Sequence, residues 1–220
     1  MKRLALFSLL SGLSIVLTGC ASIYTAPDFD TYYQAHKTVA IMQFKVSYDP
    51  SKLPKEMTQE MLASAQKEEA YSLQQQIYIK FLEREAKNKF TVTFQDVTQT
   101  NALLNDASIQ YDSLSFYTPQ KLRTILNVDA IITGHVRRSK PMSTGAAVAM
   151  GVIFGAWGPT NEVNVTVSIH DAGAGTLLWN YEHKLSGSIG SSSEGLAKSL
   201  ISDISSSFPY KRDRKIKNPQ

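Results

Sequence analysis

The chain has 220 residues, with 23 Lys and Arg against 19 Asp and Glu, a formal net charge of +4 and a single cysteine. One cysteine excludes a disulfide framework and a cysteine-based metal site, and this length suits one domain with an insertion better than two. Lys211, Arg212, Arg214, Lys215 and Lys217 crowd the end of the chain against Asp213 alone, Lys2 and Arg3 open it, and the body between is close to neutral, which argues against a nucleic-acid partner.

After Lys2 and Arg3 comes an apolar stretch from Leu4 to Leu17, broken only by Ser8, Ser11, Gly12 and Ser14. It is shorter than the roughly twenty residues of a membrane-spanning helix and has the size of a signal-peptide core. It ends in Leu17-Thr18-Gly19-Cys20, which resembles the lipobox of bacterial lipoproteins. The resemblance implies that Leu17 fills an apolar peptidase pocket, while small Thr18 and Gly19 let the backbone approach. It also implies that Cys20 takes a diacylglycerol and becomes the first mature residue, with an acylated amine. Residues 1–19 are then a cleaved signal peptide, and acylated Cys20 is the contact with membrane lipid. Several acyl chains hold far better than one, since each buried methylene adds roughly 0.8 kcal/mol. No Asp follows Cys20, only Ala21 and Ser22; this resembles the outer-membrane sorting pattern of enteric bacteria, with the domain facing the periplasm.

Residues 20–37 are rich in Ser, Tyr, Pro and Asp without a period and read as a lipidated tether. About seventeen extended residues at roughly 3.3 Å each hold the domain within a few nanometres of its membrane. Thr38 to Phe44 reads as a buried strand and Tyr48 to Pro54 as a loop. From about Glu56 to Lys87, Leu73, Ile77 and Phe81 recur at helical spacing. Phe90 to Phe94 alternates as a strand, and a short helix is predicted from Gln99 to Leu104. Thr118-Pro119 opens another through Leu122, Ile125 and Leu126, Thr118 as cap and Pro119 where its missing N–H costs nothing. Val128 to Val136 is a further strand.

Val163, Val165, Val167 and Ile169 alternate with polar residues as a half-buried strand. Asp171 to Gly175 is a turn, and Leu177 to Leu185 returns as the hairpin partner. Leu178, Asn180 and Glu182 then share one face, and Trp179, Tyr181 and His183 the other. A last helix from about Ser193 to Phe208 buries Leu196, Leu200, Ile204 and Phe208. The predicted class is α/β (α+β), a mixed sheet of about five strands with helices packed on it, in the order β-α-β-α-β-β-β-α. A single domain spans 38–210 with an apolar Gly/Ala-rich insertion at 139–161. Residues 211–220 form a basic disordered tail.

Three segments carry a wider likeness: Val39 to Phe44, Leu126 to His135, and the hairpin from Val163 to Leu185 with its helix. Together, under a lipobox, they resemble a group of periplasmic lipoproteins that includes the curli secretion channel CsgG, the penicillin-binding-protein activator LpoB and the N-terminal domain of TolB. The stretch Val128 to Gly134 resembles the "gvDaiitG" pattern common in that group. What the resemblance implies is a fold and a compartment rather than a chemistry. A CsgG-like pore needs two amphipathic hairpins, and there is room here for at most one. An LpoB-like activator usually has a longer tether.

The uncharged run Thr144 to Gly158 offers a contact surface. Read as a strand, Val148, Met150, Val152 and Phe154 share a face, with Trp157 beyond. Read as a helix, Ala147, Gly151 and Gly155 form a small-residue stripe. An internal cover for the sheet, a self-association or partner surface and a membrane-dipping element all fit it.

For chemistry the sequence offers little. It contains no nucleophile-elbow, zinc-protease or phosphate-loop motif. His36 stands apart, Asp129 and His135 share a strand segment, and His170 and His183 could face each other across the hairpin near Asp171 and Glu182. No cofactor or metal is expected, and no enzyme. The expected function is a membrane-anchored, non-catalytic module that binds an envelope protein or itself. The alternatives are an oligomeric CsgG-like secretion or pore subunit and, in a third class, a periplasmic hydrolase.

Overall fold

The computed structural model describes residues 21–139, 162–186 and 192–212. Among these residues seven strands form one mixed sheet: β1 (Ser22–Thr25), β2 (Thr38–Ile41), β3 (Lys45–Tyr48), β4 (Thr93–Phe94), β5 (Ala130–Arg138), β6 (Glu162–Asp171) and β7 (Leu177–Ser186). Their order is β1-β7-β6-β5-β2-β4, with β3 also beside β5. β2, β3, β4 and β5 are mutually parallel where they pair, and β5-β6-β7-β1 is antiparallel. The helices are α1 (Phe29–Tyr33), α2 (Gln59–Glu85), α3 (Val97–Asp106), α4 (Pro119–Leu126) and α5 (Ser193–Ile204).

The mixed α+β class stands as expected, with more strands than five. One extra strand is β3: the strand predicted over 38–44 ends at Ile41, and pairing resumes beyond it over Lys45–Tyr48, taking in Tyr48, where a loop was expected to begin. Ile41 lies opposite Ile132 but Lys45 opposite His135, so the β2–β3 side carries one more residue than β5 and the chain bulges there. Met42 and Phe44 stay buried within the bulge. The other is β1, and it corrects the tether. Ser22 pairs with Glu182 and Thr25 with Trp179, and the backbone N–H of Ala26 donates to Leu178 at 2.8 Å. Phe29 is buried behind it. All four β1 residues are exposed, so the strand is held by backbone pairing that leaves no hydrophobic period to read.

Local signals set the helix ends. Thr58 accepts from the Met61 N–H, Thr118 from Lys121, Ser192 from Gly195, and Asp96 from both Thr98 and Gln99; each satisfies donors that the first turn leaves open. α4 stops at Asn127, whose φ of 53° is the left-handed cap conformation.

Each face of the sheet has its own core. On one, α2 and α5 pack together and join the sheet in a single cluster, with Leu73, Ile77 and Phe81 of α2 and Leu196, Leu200 and Ile204 of α5 against Ile41, Ile132, Val165 and Val167. Gln74, fully buried in α2, donates to the Ile41 carbonyl at 2.7 Å and ties helix to strand. On the other face a smaller cluster unites Ala40, Met42 and Ile131 with Leu104 of α3 and Leu122 and Leu126 of α4. α3 and α4 contact β2 and β5, so among the described residues helices cover this second face on one half only.

The start of the basic tail is also pinned. Lys211 bridges to Phe90, and the Arg212 guanidinium donates to the carbonyls of Asn88 and Phe90 at 3.1 and 2.7 Å. The strand predicted over 90–94 is accordingly short, because Phe90 pairs with the C-terminal segment while only Thr93–Phe94 joins the sheet.

Candidate functional site

The half of the second sheet face that no helix covers among the described residues is built by period-2 alternation. Val163, Val165, Val167 and Ile169 point into the α2–α5 core, so Asn164, Thr166, Ser168 and His170 emerge on the opposite side. Register then assembles polar rows across the strands: Arg137, Asn164 and Lys184; His135, Thr166, Glu182 and Ser22; Thr133, Ser168, Asn180 and Tyr24. Ser168 Oγ donates to Asn180 at 2.7 Å, and Lys184 pairs with Glu162 at 2.7 Å. His135 Nε2 lies 2.9 Å from Ser47 Oγ. Partial burial, helped by the Arg137 and Lys45 charges, holds the His135 pKa below its ordinary value. A groove of about 430 Å³ is lined by the first two of these rows.

Beside it, where the turn before α4 stands over the sheet, is a cleft of about 490 Å³. Met42, Tyr111, Leu114, Tyr117, Leu122 and Ile131 give it apolar walls, while Ser47, Thr133 and His170 supply polar points. The Tyr111 hydroxyl accepts from the Val46 N–H at 3.0 Å, which fixes that wall to β3. Burial lowers the His170 pKa and favours the neutral imidazole. Leu114, Ser115 and Tyr117 line the cleft; Phe116, which ends the single helical turn Leu114–Phe116, is 80% exposed. A mostly apolar cleft with a few fixed polar groups is the usual form of a binding site.

The histidines do not combine as the hairpin suggested. His183 lies opposite Val165 and takes the α5 side of the sheet, 3.8 Å from Asp203. His170 lies on the cleft side. His170 pairs instead with Leu177, at the turn end of the hairpin. Asp129 is occupied by the backbone N–H groups of Lys37 and Thr38 at 2.8 and 2.9 Å, at the end of β5 away from His135. Among the described residues no group of three or more His, Cys, Asp and Glu is placed to hold a metal ion.

Two buried constellations escaped the sequence reading. His36 bridges Tyr210 (Nδ1 to Oη, 2.6 Å) and Asp171 (Nε2 to Oδ1, 2.9 Å), and Asp171 also accepts from the Ala174 N–H. Burial, with the Asp171 and Asp129 charges, pushes the Tyr210 pKa far up, so this sealed chain acts as a staple between the N-terminal segment, the β6–β7 turn and the C-terminal segment. At the other end of the sheet Arg138 is paired with Glu69, whose second oxygen accepts from Tyr48 at 2.8 Å. Partners 135 and 174 positions apart leave no local signal.

Cys20, Leu17, Thr18 and Gly19 lie outside the described residues, as do Val148, Met150, Val152, Phe154 and Trp157. The stems of the insertion are defined. The Ser139 N–H donates to the Glu162 carbonyl at 3.1 Å, at the sheet end toward which Ser22 of β1 also points.

No protein-family model matches the chain, and no curated protein does. Among solved structures, lipoprotein GNA1162 from Neisseria meningitidis is similar at a TM-score of 0.39 and 14% identity, over 78% of this chain and 95% of that one. A PelC dodecamer from Paraburkholderia phytofirmans gives 0.38 and 12%, over 88% and 100%. The LpoB C-terminal domain from Salmonella enterica gives 0.36 and 8%, over 73% and 93%. These scores are low, and the functional reading rests on this chain's own residues. Among the described residues no helix is long and apolar enough to cross a membrane.

Proposed function

We propose that this chain is a lipid-anchored envelope protein that acts as a non-catalytic binding module, with a protein partner docking on the cleft beside the open half-sheet. The observation that carries the docking surface is the mostly apolar cleft, with Phe116, a large aromatic side chain 80% exposed, lying in sequence between its lining residues Ser115 and Tyr117. Aromatic residues that stand beside a pocket are the usual anchors of protein interfaces. The polar rows next to the cleft suit an interface rim, where hydrogen bonds select the partner. The lipobox at Leu17 to Cys20 supplies the anchor in this reading, outer membrane with the domain in the periplasm.

Two measurements test it. Mass spectrometry of the chain purified from membranes should find acyl groups on Cys20, and Cys20→Ala should release the protein from the membrane fraction. A photo-crosslinking amino acid at 116 should capture one envelope protein in intact cells, and the same group at Ile79 should not. Phe116→Asp should then weaken binding of that purified protein at least about tenfold, or about 1.4 kcal/mol. Unchanged affinity would overturn the docking surface.

Val148, Met150, Val152, Phe154 and Trp157 are proposed as a second contact surface, for self-association. Replacing Val152 and Phe154 with Ser should shift the soluble domain to monomer in sedimentation, and an unchanged oligomer would remove that part of the reading.

A further inference from the structure

We infer that the β1 edge of the sheet, through Ile23 and Tyr24, rests directly on the bilayer surface that holds Cys20. The inference builds on the lipid-anchor reading above and changes the geometry it implies.

Ser22 is already in the sheet, paired with Glu182, so Ala21 alone separates the lipobox cysteine from the folded domain. Two residue steps span about 7 Å at most, against the few nanometres that a seventeen-residue tether would allow. A domain joined so closely cannot reorient freely above the surface; the β1 end must face it.

What that end presents fits a lipid interface. β1 is the last strand in the order, and among the described residues nothing pairs with its outer edge. Ile23 is 47% and Tyr24 48% exposed. They flank the edge, Ile23 on the side of Tyr181 and Tyr24 on the side of Asn180. An apolar side chain next to a tyrosine, whose ring is apolar and whose hydroxyl is wet, suits the headgroup boundary. In water the same open edge would be a pairing hazard.

Because Cys20 is the only cysteine, a second cysteine is the only free thiol of the acylated protein, so a nitroxide label can be placed uniquely. Ile23→Cys, Tyr24→Cys and, as an aqueous reference on α2, Ile79→Cys are labelled in the full lipidated chain. Each is reconstituted in phosphatidylethanolamine/phosphatidylglycerol vesicles. The oxygen-to-nickel-complex collision ratio should be several-fold higher at 23 and 24 than at 79. Aqueous ratios at 23 and 24 in protein whose acylation is confirmed by mass would overturn the seating and leave the anchor standing. Labels at 23 shielded from both reagents and broadened by one another would assign the edge to a second copy, which also overturns it. A chain without acyl groups on Cys20 would fail the anchor reading itself, and the seating with it.

Discussion

The Phe44 ring lies so close over Gly134 that a Cβ built on the glycine would come within 2.2 Å of it. Phe44 comes from the bulge between β2 and β3 and is fully buried, so neither ring nor strand has room to move aside. Gly134→Ala should therefore cost about 1–3 kcal/mol of stability by overpacking, read as a lower urea midpoint. Phe44→Leu alone also destabilises, but in the Gly134→Ala background it should recover part of the loss. Strictly additive effects would contradict the contact.

Treating residues 21–37 as folded predicts the outcome of a truncation. A soluble chain beginning at Lys37 lacks β1, α1 and the buried Phe29 and His36. Loss of a buried phenylalanine alone typically costs about 3–5 kcal/mol, so this chain should melt far below one beginning at Ala21, or lose cooperative unfolding. Equal melting temperatures would restore the tether.

Glu69 and Arg138 are each 4% exposed or less. Glu69→Leu takes the carboxylate away from a buried guanidinium, and such a change costs about 3–5 kcal/mol. The double variant Glu69→Leu/Arg138→Met removes both charges and should recover most of that loss in denaturant unfolding.

Acid should weaken the fold before the carboxylates titrate. Burial lowers the pKa of both His135 and His170 below the ordinary 6.5. Between the folded and unfolded values the unfolded chain binds more protons, so stability is full above 6.5 and falls as pH drops through that window. Urea midpoints measured from about pH 7.5 to about pH 5 should decline, and His170→Gln should flatten the slope. A profile unchanged by that substitution would remove His170 from the account.

The strand β6 was legible because one face is buried and the other is not, which writes a period of two into Val163 to Ile169. α2 was legible for the matching reason, through Leu73, Ile77 and Phe81. Thr118-Pro119 marked the start of α4 because capping is a contact between near neighbours. β1 was not legible, since an edge strand with four exposed residues is held by backbone groups that every residue carries. His170 and His183 looked like partners because a regular hairpin brings neighbouring positions together. They lie on opposite sheet faces, because His183 pairs with inward-facing Val165 while His170 continues the outward row of Asn164, Thr166 and Ser168.

By itself the sequence determined the mixed class, most element positions and the expectation of an anchor at Cys20, because these depend on local burial patterns and on residues adjacent in the chain. Only the tertiary structure decided that α3 and α4 pack on β2 and β5, that the turn before α4 and the sheet enclose a cleft, and that His36, Asp171 and Tyr210 meet in the interior. It also decided that the sheet already begins at Ser22, two positions after Cys20 in the sequence. Each of these is a relation between segments distant in sequence, fixed by strand order and register, and no window along the chain contains both partners.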